Sequence, residues 1–157
     1  MTTENKIIAQ YTFDQVAAHL IEQNEKSMSN DIGCAYRGKN GMRCAIGFCI
    51  SNEDYDPKME GCFVDMRYGP DKLFTIMDKV SLGYYKNSNF LDDLQVIHDC
   101  NLPIIWPAML KQFAKSYSLD DSIVDIMVNA KLPVPTFVDE LTINELLIFN
   151  TEMAYKM

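Results

Sequence analysis

GCAYRGKNGMRCAIGFCISNEDYDPKMEGC, residues 33–62, holds four of the five cysteines and the close pair Arg37 and Arg43. Within it, Gly38-Lys39-Asn40-Gly41 has the chemistry of a four-residue turn, with glycines available for positive φ. The turn is flanked by Cys34-Ala35-Tyr36-Arg37 and Met42-Arg43-Cys44-Ala45, which read as two short strands. A β-hairpin near 34–46 is therefore expected, with Gly47 marking a bend or a close backbone approach. Asp54-Tyr55-Asp56-Pro57 reads as an extended turn, because Pro57 biases Asp56 away from helix.

Outward from this stretch the sequence is helical in pattern. Thr12 with Gln15 makes a capping box, followed by Phe13, Val16, Ala17, Leu20, Ile21 and Met28 on one face. His19 falls off that stripe and is expected at the surface. Leu73, Ile76, Met77 and Val80 predict a second helix over 71–82, with Gly83 as its stop. A third opens near Ser88 or Asn89, where Phe90, Leu91, Leu94, Ile97 and His98 share a face and Asp99 points the other way. Pro107 suits the first turn of a fourth helix carrying Leu110, Phe113, Ala114 and Tyr117. Ser118 and Asp121 open a fifth with Ile123, Ile126 and Met127 inward. Pro133 and Pro135 make an extended crossing, and Thr142 to Glu145 caps a last helix running to Met157. The expected fold is α+β, mostly helical: a single compact domain over 1–157, with about six helices, one short hairpin, and a flexible stretch over 1–10.

Length and composition fit that reading. A chain of 157 residues, 48% hydrophobic and 23% charged, buries roughly two thirds of its unfolded surface as one domain. No apolar run nears the ~20 residues of a bilayer span, and MTTENKIIAQ lacks a secretory pattern. A cytoplasmic location is expected, with no membrane partner. The net charge of -8 and the scattered lysines disfavour nucleic acid and favour a basic protein surface. Five cysteines, an odd count, read as free thiols of a reducing compartment.

Three chemistries compete for the 33–62 stretch. The cysteine spacings C-x9-C, C-x4-C and C-x12-C lack the paired knuckles of structural zinc, so no metal is expected. No phosphate-binding glycine loop or nucleophile elbow is present, and no cofactor is expected. A nucleophilic enzyme would use Cys44 or Cys34 with His98, oriented by Asp99, Asp93 or Glu60. Cys44 is favoured there because Arg37 and Arg43 would lower its pKa. A polar pocket would instead combine Tyr36, Arg37, Arg43, Glu60 and His98, with arginine forks suited to carboxylate or phosphate. The bland alternative pairs both arginines with Glu53, Asp54, Asp56 or Glu60 around a solvated turn.

The run GCAYRG-x-NG-x-x-CAIG (from Gly33), then YDP-x-MEG (Tyr55 to Gly61) and LQ-x-IHD (Leu94 to Asp99), resembles a group of small uncharacterised bacterial and bacteriophage proteins. The resemblance spans about residues 12–100 and carries no reaction. It implies that Cys34, Tyr36, Arg37, Cys44, Glu60, His98 and Asp99 come together, and that the role is accessory, such as interference with a host process. The expectation is a small acidic intracellular protein that binds a host protein or a small anionic ligand without catalysis. A cysteine-dependent hydrolase or transferase and a structural subunit of a homo-oligomer stand as alternatives.

Overall fold

The structure, a computed structural model, describes residues 3–30, 33–62 and 89–131. The helices expected over 71–82 and from Thr142, and the Pro133–Pro135 crossing, lie outside these residues. The described part holds five α-helices: α1 (Thr3–Gln23), α2 (Ala45–Cys49), α3 (Phe90–Cys100), α4 (Trp106–Tyr117) and α5 (Ser122–Lys131). Single 3-10 turns lie at Lys39–Gly41, Pro57–Met59 and Pro103–Ile105.

α1 is the spine, packed against α2, α4 and α5. It begins upstream of the expected Thr12, which is buried inside the helix rather than capping it. The apolar stripe simply continues back through Ala9, and burial of Ala9 and Phe13 outweighs the local capping signal. The helix ends where Asn24 turns left-handed at φ 48, its N–H bonding Leu20 O at 2.8 Å. Met28 is thus beyond the helix and exposed, not part of its inner face. Gln10 exchanges bonds with the backbone of Asp120 (2.9 and 2.8 Å), and Lys131 donates to Glu22 O, so α5 runs alongside α1 in the same direction.

The aromatic centre is Phe13, Phe90, Phe113 and Tyr117, with Phe13 stacked on Phe113 at 5.7 Å and Phe90 edge-on to Phe113 at 5.1 Å. α3 buries the face read from its periodicity: Phe90, Leu91, Leu94, Ile97 and His98. It stops at Asn101, whose side-chain amide bonds the carbonyls of Val96 and Ile97, both at 3.2 Å. Trp106 opens α4 fully buried, with Pro107 in the first turn. Ser118, in the left-handed region at φ 55, closes α4 instead of opening α5. On α5 Val124 is the buried residue, while Ile126, expected inside, is exposed.

The fold class needs one correction. Among the described residues there is no strand, hairpin or sheet, so the described part is helical rather than α+β. The turn itself is present, with Gly38 N–H bonding Met42 O at 2.9 Å, Asn40 at φ 57 and Gly41 at φ 77. Its flanks form only one isolated bridge, Arg37 to Arg43. A ladder needs free backbone groups, and here they are already taken. Ala35 N–H goes to Ser27 O (2.9 Å), and the amides of Tyr36 and Arg37 go to the Glu60 carboxylate (both 2.9 Å). On the other side Cys44 immediately caps α2, its Sγ accepting from Gly47 N–H at 3.1 Å.

Candidate functional site

α2 has five residues, too few to persist as a helix by themselves, so its ends are held from outside. At its start, Gln95 Oε1 on α3 accepts from Ile46 N–H at 3.0 Å. At its end, the Arg37 guanidinium bonds the carbonyls of Gly47 and Ile50, the latter at 2.5 Å. A cation is well placed there, at the negative end of the helix dipole. Arg37 also lies over the Tyr55 ring, 5.0 Å from its centroid.

Glu60 completes this cluster. Its Oε2 accepts from Tyr36 N–H, and its Oε1 accepts from Arg37 N–H and from the Tyr55 hydroxyl at 2.8 Å. Burial, then the hydrogen bond to Glu60, pushes the Tyr55 phenol up to about 12. Tyr36 is buried and donates its hydroxyl to Cys62 O at 2.7 Å. Three members of the predicted pocket, Tyr36, Arg37 and Glu60, are thus bound to one another or to the backbone around α2, and Tyr55 joins them. Arg43 stands slightly apart: its backbone serves Gln23 and His19, while its guanidinium reaches Asn52 Oδ1 at 2.8 Å. His19, expected at the surface, is half-buried against Phe48 (4.2 Å between rings) and bonds Arg43 O at 3.0 Å. Burial pushes its pKa down.

The second cluster centres on His98, fully buried and stacked on Trp106 at 5.4 Å. Its Nε2 receives the Ser27 backbone N–H at 2.9 Å. A peptide N–H only donates, so Nε2 is bare and the ring proton sits on Nδ1. Nδ1–H then donates to Asp99 Oδ1 at 2.6 Å. Asp99, expected on the opposite side of α3, therefore reaches back to its neighbour. Burial pushes its carboxyl up, but bonds from His98 and Gln95 (2.8 Å) outweigh this and hold it below the usual range. Cys34 Sγ joins them: one donor atom each from Cys34, His98 and Asp99 lie within 4.8 Å of one another. Met28 Sδ is 3.7 Å from the same sulfur.

The predicted cysteine residues therefore divide. Cys34 meets His98 and Asp99, whereas Cys44 faces the Gly47 amide and connects to Asp99 only through Gln95. Burial, then the nearby Asp99 carboxylate, pushes the Cys34 thiol up to about 11. Burial pushes Cys44 up to about 12, against the lowering expected from the two arginines. Arg37 spends its charge on α2 carbonyls, and Arg43 on Asn52.

The Cys34, His98 and Asp99 donors have the composition of a transition-metal site but not its protonation. With Nε2 filled by the Ser27 amide, a cation on Nδ1 would need a ring stripped of both protons. The expected result of a cobalt titration at neutral pH is therefore no thiolate-to-cobalt absorption band. A saturable band lost on Cys34→Ala would contradict this reading.

The residues that sequence reasoning missed are the connectors Gln95, Ser27, Gln23 and Trp106. Gln95 lies within the LQ-x-IHD run, which was its one available signal. Comparison with protein-family models, with curated proteins and with solved structures gives no match. Among the described residues, no helix is long and apolar enough to cross a membrane.

Proposed function

We propose that this chain is a small acidic accessory protein of bacterial or bacteriophage type that acts inside the cell by binding a host protein, without catalysis. The observation that carries this reading is where its reactive groups are spent. Both ring nitrogens of His98 are engaged, the Cys34 and Cys44 thiols are held in their neutral form, and Glu60 is tied to two amides and a phenol. A general base needs a free lone pair facing a substrate, and a nucleophile needs a thiolate. The net charge of -8 supports a partner with a basic surface, and five unpaired thiols suit a reducing compartment. The resemblance carried by the CAYRG, CAIG and MEG runs supports the accessory role.

A small anionic ligand is the lesser form of the proposal, because the Glu60 carboxylate occupies the amides such a ligand would use. Of the two guanidinium groups, that of Arg37 bonds backbone carbonyls of α2, whereas that of Arg43 reaches the side chain of the exposed Asn52.

Native mass spectrometry of protein purified from its own cells tests the proposal. The expected result is the 18.0 kDa chain in complex with a second protein, the complex dissociating as salt is raised. A small bound anion that disappears on Arg43→Ala would replace the protein partner by a ligand. Multiples of the chain mass alone would favour the structural-subunit alternative, and a covalent adduct on Cys34 or Cys44 would contradict the non-catalytic reading.

A further inference from the structure

His98 has two partners that require opposite things of it. Asp99 Oδ1, 2.6 Å from Nδ1, accepts a proton from the ring whether the imidazole is neutral or cationic, and its negative charge favours the cation. The Ser27 amide, 2.9 Å from Nε2, demands a bare nitrogen and so tolerates only the neutral ring. Both Ser27 and His98 are fully buried, so two N–H groups facing each other there would have no water to turn to.

Ser27 also fastens two residues of the segment that follows it. Its carbonyl accepts from Ala35 N–H at 2.9 Å, and its hydroxyl donates to Met42 O at 3.1 Å. Next to it, Met28 O accepts from Lys39 N–H at 3.0 Å, and Met28 bridges Cys34. The ring thus holds, through one amide, the residue to which Ala35 and Met42 are fastened.

We infer that His98 is an acid-sensitive latch: a proton taken up at Nε2 expels the Ser27 amide and frees Ala35 and Met42 from Ser27, while the helical core stays folded. The proton comes from solvent, Nδ1–H remains on Asp99, and the ring gains one positive charge. Other charged or titratable groups act on the ring from the described residues around it. The Lys26 ammonium, which donates to Asp99 O at 2.7 Å, opposes the cation. His19 on α1 opposes it when protonated, and the neutral Cys34 thiol lies on the Asp99 side. Trp106 of α4 supplies only its ring face. Among the described residues, the Asp99 anion favours uptake, and the Ser27 contact is what uptake breaks.

Hydrogen exchange followed by NMR on the full chain, from about pH 8 to about pH 5, covers the range in which histidine changes charge. Protection of the Ser27 and Ala35 amides, corrected for the intrinsic rate, is expected to fall by about tenfold per pH unit on the acid side, as one-proton linkage requires. Amides of α4 keep their protection, and the His98 Nε2 nitrogen resonance moves from bare to protonated over the same range. His98→Gln leaves an amide oxygen for Ser27 but takes up no proton, so protection in that variant is expected to be flat. Should that variant not fold, the ring resonance and the exchange in the unaltered chain decide by themselves. The inference is overturned if the ring stays neutral throughout, if Nε2 protonates with Ser27 still protected, or if His98→Gln shows the same loss.

Discussion

Gly47→Ala is expected to cost about 3 kcal/mol or more and to lower the melting temperature by roughly 10 °C. A Cβ at position 47 would lie 2.1 Å from Tyr36 O, 2.7 Å from Tyr36 C and 2.8 Å from Tyr36 Cα. All three are backbone atoms, so no rotamer change relieves the overlap. Retreat is blocked on both sides. Tyr36 is pinned through its amide to Glu60 and through its hydroxyl to Cys62 O, while Arg37 grips the carbonyls of Gly47 and Ile50. Thermal unfolding followed by circular dichroism measures the effect. A shift of less than about 2 °C would mean that α2 and the CAYR run do not pack as described.

Glu60→Ala is expected to destabilise by about 3 kcal/mol in denaturant titrations, with an unchanged slope. It strips the acceptor from the amides of Tyr36 and Arg37 and from the Tyr55 hydroxyl, and each such loss costs about 1–3 kcal/mol where water cannot substitute. Glu60 is only half-buried, so the lower end of that range applies to each donor. Glu60→Gln is expected to fall between the two, because its amide nitrogen cannot accept from either N–H. Tyr55 links Glu60 to the Arg37 guanidinium lying over its ring, so Glu60→Ala and Arg37→Ala should be non-additive. Wild-type stability for Glu60→Ala, together with lost partner binding, would make Glu60 a recognition residue instead.

These two substitutions also mark where the amino-acid sequence is informative and where it is silent. The buried face of α3 was legible down to His98, because a 3.6-residue period is a local property and nothing distant overrode it. The turn over residues 38–41 was legible too, although its positive φ falls on Asn40 and Gly41 and not on Gly38, which stays at φ -87. The hairpin was not. Whether a turn grows a ladder depends on which groups compete for its amides, and here the competitors are Ser27 and the distant Glu60. The same non-local logic moved the start of α1, where Ala9 adds buried contact that a capping box at Thr12 does not reveal. It also drew His19 inward, because Phe48 and Arg43 O come from another part of the chain.

The candidate residues fall into two clusters rather than the one pocket expected, with Arg43 and Cys44 apart, and their roles were not legible. Cys34, His98 and Asp99 do meet, and Tyr36, Arg37 and Glu60 do cluster. Their residue types suggested catalysis or anion recognition because sequence shows which side chains exist, not which bonds already occupy them. Arg37 reads as a free cation until the carbonyls of α2 are seen on it. His98 reads as a base until the Ser27 amide is seen on Nε2.

The account rests on these reactive groups being internally committed, and thiol reactivity tests that most directly. Time-resolved alkylation of the native protein at neutral pH, read cysteine by cysteine by peptide mass spectrometry, ranks all five thiols at once. With Cys34 raised to about 11 and Cys44 to about 12, their thiolate fractions are lower than that of an ordinary thiol by about a hundredfold or more. Exposed Cys100 is therefore expected to react first, with Cys34 and Cys44 far behind. Faster labelling of Cys34 or Cys44 than of Cys100 would contradict the account, and for Cys34 it would favour a nucleophile beside His98.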